Sequence, residues 1–300
     1  MEPDASPYSQ WFLHLPGAVD VPPRMLHEIA EVFAQYRQGV RRREAAARGP
    51  AAALLALVDT PGSGPAPLPA ALRACGLPDR GPYTVVAVRV GEEGEAAGPE
   101  AHSEALEEVL RHLPGHRFAT ARLVEGGAAA VIATDPGSPD SVAAALKDLW
   151  PTLHACDEAA LPYGGISAPA TTPDGLNGAL VQARYARTAA GRSGRANLTA
   201  IEELTTLDAL LAGIPDDVRT AFGIHALGPL ADTTNPSHRM LLETLDTFLR
   251  HNGSWARTAE ALHLHVNTVH YRIQRVEMPT GRDLARLDHK LDLKAALLCR

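Results

Sequence analysis

Apolar residues recur at helical spacing early in the chain, behind an irregular, proline-rich start. From residue 25 to residue 40 they return every three or four positions, which predicts an amphipathic helix that ends in the basic run Arg41-Arg42-Arg43. Such a helix is either a dimerisation helix or a surface helix that caps the next domain, and the second interpretation is favoured. Prolines and glycines between residues 60 and 69 predict a loop that joins two short helical pieces.

The pattern changes period after residue 82 and predicts an α+β domain. Valine-rich and alternating stretches predict strands at residues 83–90, 118–124, 128–133 and 163–168. Helical spacing predicts helices at residues 100–113, 138–150 and 173–190. The order β-α-β-β-α-β-α is typical of the ferredoxin-like split βαβ arrangement, with an antiparallel sheet and helices packed on one face.

The last third of the chain predicts only helices. Short apolar clusters between residues 201 and 230 indicate two or three connecting helices, and four further helices are expected at 238–251, 254–263, 266–278 and 287–298. The predicted division is a helical region at 1–78, the α+β domain at 79–195, a helical connector at 196–236 and an all-α domain at 237–300.

Composition is that of a soluble globular chain, with 45% hydrophobic and 21% charged residues among 300. The longest uncharged apolar run, residues 51–58, is far shorter than the roughly 20 residues that span a bilayer. The acidic start also argues against a secretory signal, so we expect a cytoplasmic protein without a membrane partner. Cys75, Cys156 and Cys299 are widely spaced, which predicts three reduced thiols.

Charge is unevenly distributed along the chain. The formal net charge is -7, yet residues 238–300 carry ten Lys or Arg against seven Asp or Glu. Six of the 13 histidines also lie in that last fifth. A mildly basic module on an acidic body is typical of nucleic-acid binding, because a phosphate backbone attracts local positive charge.

A candidate DNA-binding motif lies between residues 252 and 276. Gly253 is expected to end one helix, and the Ser254 hydroxyl can cap the next by accepting a backbone N–H. Leu264 fills a tight turn between two short helices. The second of these helices carries a buried stripe at i, i+4 and i+7, formed by Val269, Ile273 and Val276. The pattern predicts a helix-turn-helix, whose second helix enters the major groove.

The helical wheel then predicts which side chains contact DNA, because successive residues rotate by about 100°. Opposite the buried stripe are five candidates for base contacts, Asn267, His270, Tyr271, Gln274 and Arg275. Asn and Gln can bond adenine bidentately and Arg can bond guanine. Three residues on the flank are candidates for phosphate contacts, Arg257, Thr268 and Arg272.

The last sixty residues resemble the PucR/CdaR-type transcriptional regulators. The shared pattern comprises Leu242-Glu243-Thr244-Leu245, Gly253, Thr258-Ala259, Leu262, His265, Thr268-Val269, Tyr271-Arg272 and Thr280-Gly281. Upstream, Gly164-Gly165-Ile166-Ser167 and Ala183-Arg184-Tyr185-Ala186 are similar, more loosely, to the GGDEF-like domain of these regulators. The resemblance implies a degenerate GGDEF-like domain at 79–195 and a PucR-type DNA-binding domain at 237–300. The effector-sensing domains that usually come first have little room in about eighty residues.

An enzyme is not expected. The hairpin that corresponds to the active hairpin of GGDEF cyclases is Glu125-Gly126-Gly127-Ala128-Ala129-Ala130. A working cyclase needs acidic residues after the glycines to hold metal and triphosphate, and alanines stand there instead. A regulatory or dimerising domain is therefore predicted.

Metal and cofactor sites are not expected either. His263, His265 and His270 lie within eight residues, but their predicted positions do not converge as tetrahedral ligation requires. Tyr163-Gly164-Gly165 is interpreted as a tight strand-to-loop turn, since no phosphate-binding loop accompanies it.

The sequence thus predicts a DNA-binding transcription regulator that contacts double-stranded DNA through a C-terminal helix-turn-helix, as a homodimer. The alternative is a non-catalytic signalling or scaffold protein whose α+β domain binds a nucleotide or a partner protein. The operator, the small-molecule effector and the direction of regulation are not specified by the sequence.

Overall fold

A computed structural model describes Tyr8 and residues 22–60, 67–92, 100–134, 141–158 and 160–300. Three expectations fall partly outside this set: the irregular start, the middle of the loop at 60–69, and the first residues of the helix expected from residue 138. The chain divides into two compact units, Met1–Leu204 and Thr205–Arg300, which are described in turn.

One five-stranded sheet forms the centre of the first unit. Its strands are β1 Tyr83–Glu92, β2 Arg117–Arg122, β3 Ala128–Ala133, β4 Ala160–Ile166 and β5 Asn197–Ala200. The order is β2-β3-β1-β4-β5, and every neighbouring pair is antiparallel except the parallel pair β4 and β5. The predicted α+β class is confirmed, whereas the edge strand β5 was not predicted.

In the part of the first unit that the structure describes, five helices accompany this sheet. They are α1 Pro23–Asp59, α2 Leu68–Ala74, α3 Ala101–Arg111, α4 Val142–Cys156 and α5 Leu176–Gly191. Helix α1 continues well beyond the basic run where the sequence predicted its end, through an alanine-rich stretch that contains Pro50. Alanine has the highest helix propensity, which offsets the cost of that proline.

The helices cover both faces of the sheet, so the prediction of helices on one face was wrong. On one face, Val86, Val88 and Val90 pack with buried residues of α3 and α4. On the other face, Tyr83, Val85 and Ala87 pack with α2, α5 and the second half of α1. The physical reason is that six of the first eight residues of β1 are apolar and lie on both of its faces, and a strand with two apolar faces must bury both of them.

The glycine pair on β4 permits the close approach of α5. A Cβ added at Gly165 would lie 2.1 Å from the carbonyl oxygen of Ala183 and 2.2 Å from the amide nitrogen of Arg187. Any side chain at this position would displace the helix. The interpretation of Tyr163-Gly164-Gly165 as a tight turn was therefore wrong, because the three residues lie within a strand.

The second unit is all-α. Its helices are α6 Leu207–Ala212, α7 Asp216–Leu227, α8 Pro236–Arg250, α9 Trp255–Ala261, α10 Val266–Thr280 and α11 Leu287–Leu298. Four of them lie within two residues of the predicted helices at each end. One apolar core joins α7, α8, α9, α10 and α11 through buried residues such as Leu227, Leu245, Ile273 and Leu293.

Among the described residues, each helix is too short or too polar to cross a bilayer.

Candidate DNA-binding interface

Helices α9 and α10 meet at a tight turn whose backbone bonds are complete. The Ser254 hydroxyl accepts the N–H of Arg257 at 3.4 Å, as the sequence predicted for the start of α9. At its end, the N–H of Leu264 donates to the Ala259 carbonyl at 2.8 Å, and the N–H of His263 donates to the Glu260 carbonyl at 3.1 Å. This pair of bonds is a Schellman motif, which reverses the chain within a few residues.

The turn has an unusual residue at its left-handed position. His263 has φ 53°, in a region where glycine or asparagine normally stands. The end of α8 follows the same geometry with Asn252 at φ 55°, and Gly253 comes one residue later at φ 76°. The sequence predicted that Gly253 ends α8, and the left-handed residue that ends the helix is Asn252, one position earlier.

Helix α10 is capped by side chains at its start. The Nδ1 atom of His265 accepts the N–H of Asn267 at 3.2 Å. Gly281, at φ 63°, ends the helix and donates its N–H to the Glu277 carbonyl at 2.8 Å. These bonds fix the ends of the helix and thereby its orientation in the module.

The inner face of α10 is the predicted apolar stripe. Val269, Ile273 and Val276 are almost fully buried, together with Ala259 of α9 and Leu245 of α8. Because the buried stripe fixes the rotation of the helix, the residues opposite to it must face outward.

All five predicted base-contact residues are exposed on α10, namely Asn267, His270, Tyr271, Gln274 and Arg275. Tyr271 is 60% exposed, and the Arg275 guanidinium lies 5.8 Å from the centre of its ring. Arg275 also donates from Nη2 to the Ser237 hydroxyl at 3.4 Å. The row therefore presents amide, imidazole, phenol and guanidinium groups to one side of the unit.

One residue of this row is also part of the packing. The imidazole of His270 stacks on the indole of Trp255 with ring centres 3.9 Å apart and planes inclined by 15°. Trp255 in turn contacts the ring of Phe248, with centres 4.5 Å apart. The role of Trp255 was not predicted from the sequence, although a tryptophan directly after a helix cap is a visible signal.

The three predicted phosphate-contact residues differ in their exposure. Arg257 is exposed on α9, while Thr268 and Arg272 are half-buried on α10. Arg272 donates from Nη1 to the hydroxyl of the buried Thr244 on α8 at 3.2 Å. Its guanidinium is therefore held against α8 and is less free to move than that of Arg257.

Met278 is a further exposed residue of α10, and no role was predicted for it from the sequence. It lies near the end of α10 and is 84% exposed. A large apolar side chain at the end of a polar helical face is compatible with contact to sugar or to a thymine methyl group.

The β2–β3 hairpin of the first unit has the geometry that its glycines require. Gly126 and Gly127 have φ 92° and 91°, and a Cβ at Gly127 would lie 2.5 Å from the Val88 carbonyl oxygen. Ala128 and Ala129, where a cyclase has acidic residues, are fully buried in β3.

A cluster of charged side chains lies beside this hairpin. The Arg184 guanidinium donates to Glu125 at 2.9 Å and to Asp59 at 2.9 Å, so it links the hairpin to the end of α1. The hydrogen bond from Arg184 holds the pKa of the Asp59 carboxyl below its usual value. Arg187, largely buried, donates from Nη1 to the Gly126 carbonyl at 3.4 Å. The hairpin is thus held by charges from within the chain.

Within the described residues, no three His, Cys, Asp or Glu side chains are grouped closely enough to hold a metal ion. His263, His265 and His270 occupy the turn, the cap and the outer face of α10, respectively.

A short helix, a tight turn and a second helix with a polar outer face define a helix-turn-helix module of the kind that binds DNA. Residues 241–299 match the family described as PucR C-terminal helix-turn-helix domain, and residues 60–189 match the GGDEF-like domain. The resemblance to the PucR/CdaR-type transcriptional regulators is therefore confirmed for both domains.

Three relatives share parts of the sequence. The transcriptional activator PmfR of Paenarthrobacter nicotinovorans is 46% identical over 59 residues, 20% of this chain and 12% of PmfR. The carbohydrate diacid regulator of Escherichia coli (strain K12) is 36% identical over 92 residues, 30% of this chain and 24% of that protein. An uncharacterized protein in the pkwA 5' region of Thermomonospora curvata is 45% identical over 71 residues, 24% of this chain and 39% of that protein. The matches thus span less than half of each relative.

A solved structure is also similar. The crystal structure of a regulator of polyketide synthase expression from Bifidobacterium adolescentis gives a TM-score of 0.37 at 19% identity, over 85% of this chain and 97% of that chain.

Proposed function

We propose that this protein is a sequence-specific transcription regulator that binds double-stranded DNA by inserting α10 into the major groove. The observation that carries the proposal is the exposed polar row on α10, which the buried stripe of the same helix turns outward. A helix in this position is about the width that the major groove admits.

Asn267 and Gln274 are assigned to adenine, because a carboxamide can donate to N7 and accept from N6 at once. Arg275 is assigned to guanine, with Tyr271 and His270 beside it on the exposed row. Arg257, Thr268 and Arg272 are assigned to phosphate, which positions the helix without specifying sequence.

Local charge supports nucleic acid as the partner. Residues 238–300 have three more basic than acidic side chains, while the chain as a whole has a net charge of -7. The names of two relatives, a transcriptional activator and a carbohydrate diacid regulator, also support a role in regulation.

We further propose that the GGDEF-like domain is not catalytic. Ala128 and Ala129 supply no carboxylate at the hairpin, and Glu125 is already paired with Arg184 at 2.9 Å. A metal-bound triphosphate would need several acidic ligands at this place.

We propose that the protein acts in the cytoplasm as a homodimer. We also propose that the chain is divided into a helical region at 1–78, the GGDEF-like domain at 79–195, a helical connector at 196–236 and the DNA-binding domain at 237–300. A dimer is expected because a single recognition helix contacts only a few base pairs, whereas two modules about 34 Å apart bind two half-sites.

The test begins with selection of fragments from the protein's own genome. Binding of a selected fragment and of random DNA is then measured at about 50 and 200 mM salt, since phosphate contacts impose a steep salt dependence. Asn267→Ala and Gln274→Ala are each expected to cost about 1–3 kcal/mol on the selected fragment and little on random DNA. Thr220→Ala, exposed on α7, serves as the matched control.

An equal loss on both DNAs would reassign the residue to a phosphate contact. Failure to enrich any fragment, together with salt-independent binding to a partner protein, would favour a scaffold role instead.

A further inference from the structure

Lys290 of α11 lies at the turn between α8 and α9. A Cβ added at Gly253, within that turn, would lie 3.2 Å from the Nζ atom of Lys290 and 3.4 Å from the Cζ atom of Phe248. The lysine and the phenylalanine therefore pack in the space that the absent side chain leaves. No role was predicted for Lys290 from the sequence.

The position of Lys290 is continuous with the exposed row of α10. The ring of Phe248, which also borders Gly253, contacts the Trp255 indole, and the indole stacks on His270 of the row. A line of contacts thus runs from the outward face of α10, across the start of α9, to the ammonium on α11. Lys290 therefore borders the proposed DNA-binding interface.

The charge of Lys290 is not neutralised within the part of the chain that the structure describes. The side chain is half-buried, and its ammonium forms neither an ion pair nor a hydrogen bond with a described residue. The acidic residues of α11 and of the adjacent part of α8 have other partners. Asp288, Asp292 and Asp246 are paired with Arg286, Arg282, Arg250 and Lys294.

The other four acidic residues between 238 and 300 are remote from this turn or already bonded. Glu260 lies seven residues after Gly253, near the far end of α9, and Glu243 lies seven residues before the end of α8. Asp283 and Glu277 accept backbone N–H groups of the loop before α11, at 2.8 and 2.7 Å. The ammonium is therefore available to an anion from outside the chain.

We propose that Lys290 contacts a DNA phosphate beside the major groove that α10 enters, so that α11 forms part of the DNA-binding interface. In a helix-turn-helix the first helix crosses the DNA backbone, and Lys290 lies at the start of that helix, α9. Lysine suits a phosphate, because its flexible point charge attracts the anion without a fixed geometry. The inference rests on the proposed function and adds to it a residue outside the two helices of the motif.

A purely structural role for Lys290 has a different consequence. A cation near the carboxyl end of a helix, here α8, stabilises that end through the helix dipole. Such a role affects the free energy of unfolding. A phosphate contact instead affects how steeply DNA binding weakens as the salt concentration rises.

The experiment measures binding of the full-length chain to a DNA duplex of mixed sequence at several salt concentrations between about 50 and 200 mM. Each phosphate contact contributes about 0.9 to the slope of log affinity against log salt. The slope for Lys290→Gln should therefore be shallower by about 0.9 for each bound copy. The ratio of wild-type to variant affinity should correspondingly fall about 3.5-fold over this range of salt.

Lys294→Gln is the matched control. Lys294 lies one turn further along α11 and is paired with Asp246 at 3.3 Å, so its replacement removes the same charge and should leave the slope unchanged. Lys290→Arg keeps the charge and should retain the wild-type slope. An equal change of slope in both glutamine variants would trace the effect to net charge and overturn the contact.

An unchanged slope in Lys290→Gln would also overturn the contact, and a lower thermal unfolding midpoint in the same variant would then assign the lysine to the end of α8. The proposed function would still stand if the wild-type chain bound DNA and Asn267→Ala weakened binding to the selected fragment. A wild-type chain that binds no DNA would overturn both.

Discussion

The imidazole of His270 lies flat against the indole of Trp255, with ring centres 3.9 Å apart. His270 belongs to the outward row of α10, and Trp255 is the first residue of α9, so the stack joins the two helices of the module at their exposed side. The ring of the buried Phe248 on α8 also contacts the Trp255 indole. One predicted base-contact residue therefore also fixes the angle between the two helices.

Replacement of His270 by alanine should lower the stability of the second unit, unlike replacement of Gln274 on the same row. Stacked aromatic pairs contribute about 0.5–1.5 kcal/mol, so His270→Ala should cost about 1 kcal/mol in the free energy of unfolding. Chemical denaturation followed by near-ultraviolet circular dichroism measures this change. Gln274→Ala, on the same face, should leave stability unchanged, and equal stabilities of the two variants would contradict a packing role for His270.

Replacement of Ile273 by aspartate should unfold the helix-turn-helix. Ile273 is buried at the centre of the stripe on α10, and a buried carboxylate without a partner costs several kcal/mol. Limited proteolysis of the full-length chain should then cut within the second unit, and DNA binding should be lost. Gln274→Asp, which places the same charge one residue along on the exposed face, is the control for the proteolysis and should leave the second unit resistant to cleavage. Protease resistance in Ile273→Asp would mean that another face of α10 is buried.

Replacement of His263 by glycine should stabilise the turn between α9 and α10. His263 has φ 53°. In this region a Cβ raises the free energy of the folded state by about 1 kcal/mol through a steric clash that glycine avoids. The Schellman bonds use only backbone atoms, so the substitution preserves them. The denaturation midpoint of His263→Gly should therefore rise, while that of His263→Ala should not. A rise in both variants would trace the effect to the imidazole and exclude the backbone.

The second unit could be predicted closely from the sequence because each helix has a local signal. Ser254 and Gly281 mark helix ends, and the stripe through Val269 and Ile273 fixes the rotation of α10 without reference to any other element. The exposed row follows from the stripe. The Trp255–His270 stack could not be predicted, because it depends on the angle at which two helices cross.

The first unit depends on contacts between distant segments, and here prediction was less complete. The run of valines and alanine in β1 indicates burial on both sides, whereas the prediction placed helices on one face only. Strand β5 has only four residues, Asn197–Ala200, and exists because it can pair in parallel with β4. Such a short strand has too few residues to show a period of two.

The stability of the first unit should depend on pH through His102. This residue is buried on α3, and its Nδ1 atom accepts the N–H of Val90 at 3.2 Å, which requires the neutral ring. Burial, and after it the positive charges of Arg89 and Arg187, lower the pKa of His102.

The sign of the effect follows from proton linkage. With a lowered pKa in the folded state, the unfolded chain binds more protons below about pH 6.5, so His102 contributes stability above that pH and loses it as the pH falls. In His102→Asn, the amide oxygen can accept the same N–H but does not titrate. The unfolding free energy of the full-length chain, measured from pH 8 to pH 5, should therefore fall more steeply in the wild-type chain than in His102→Asn. Parallel curves would mean that His102 is protonated as readily in the folded protein as in the unfolded chain.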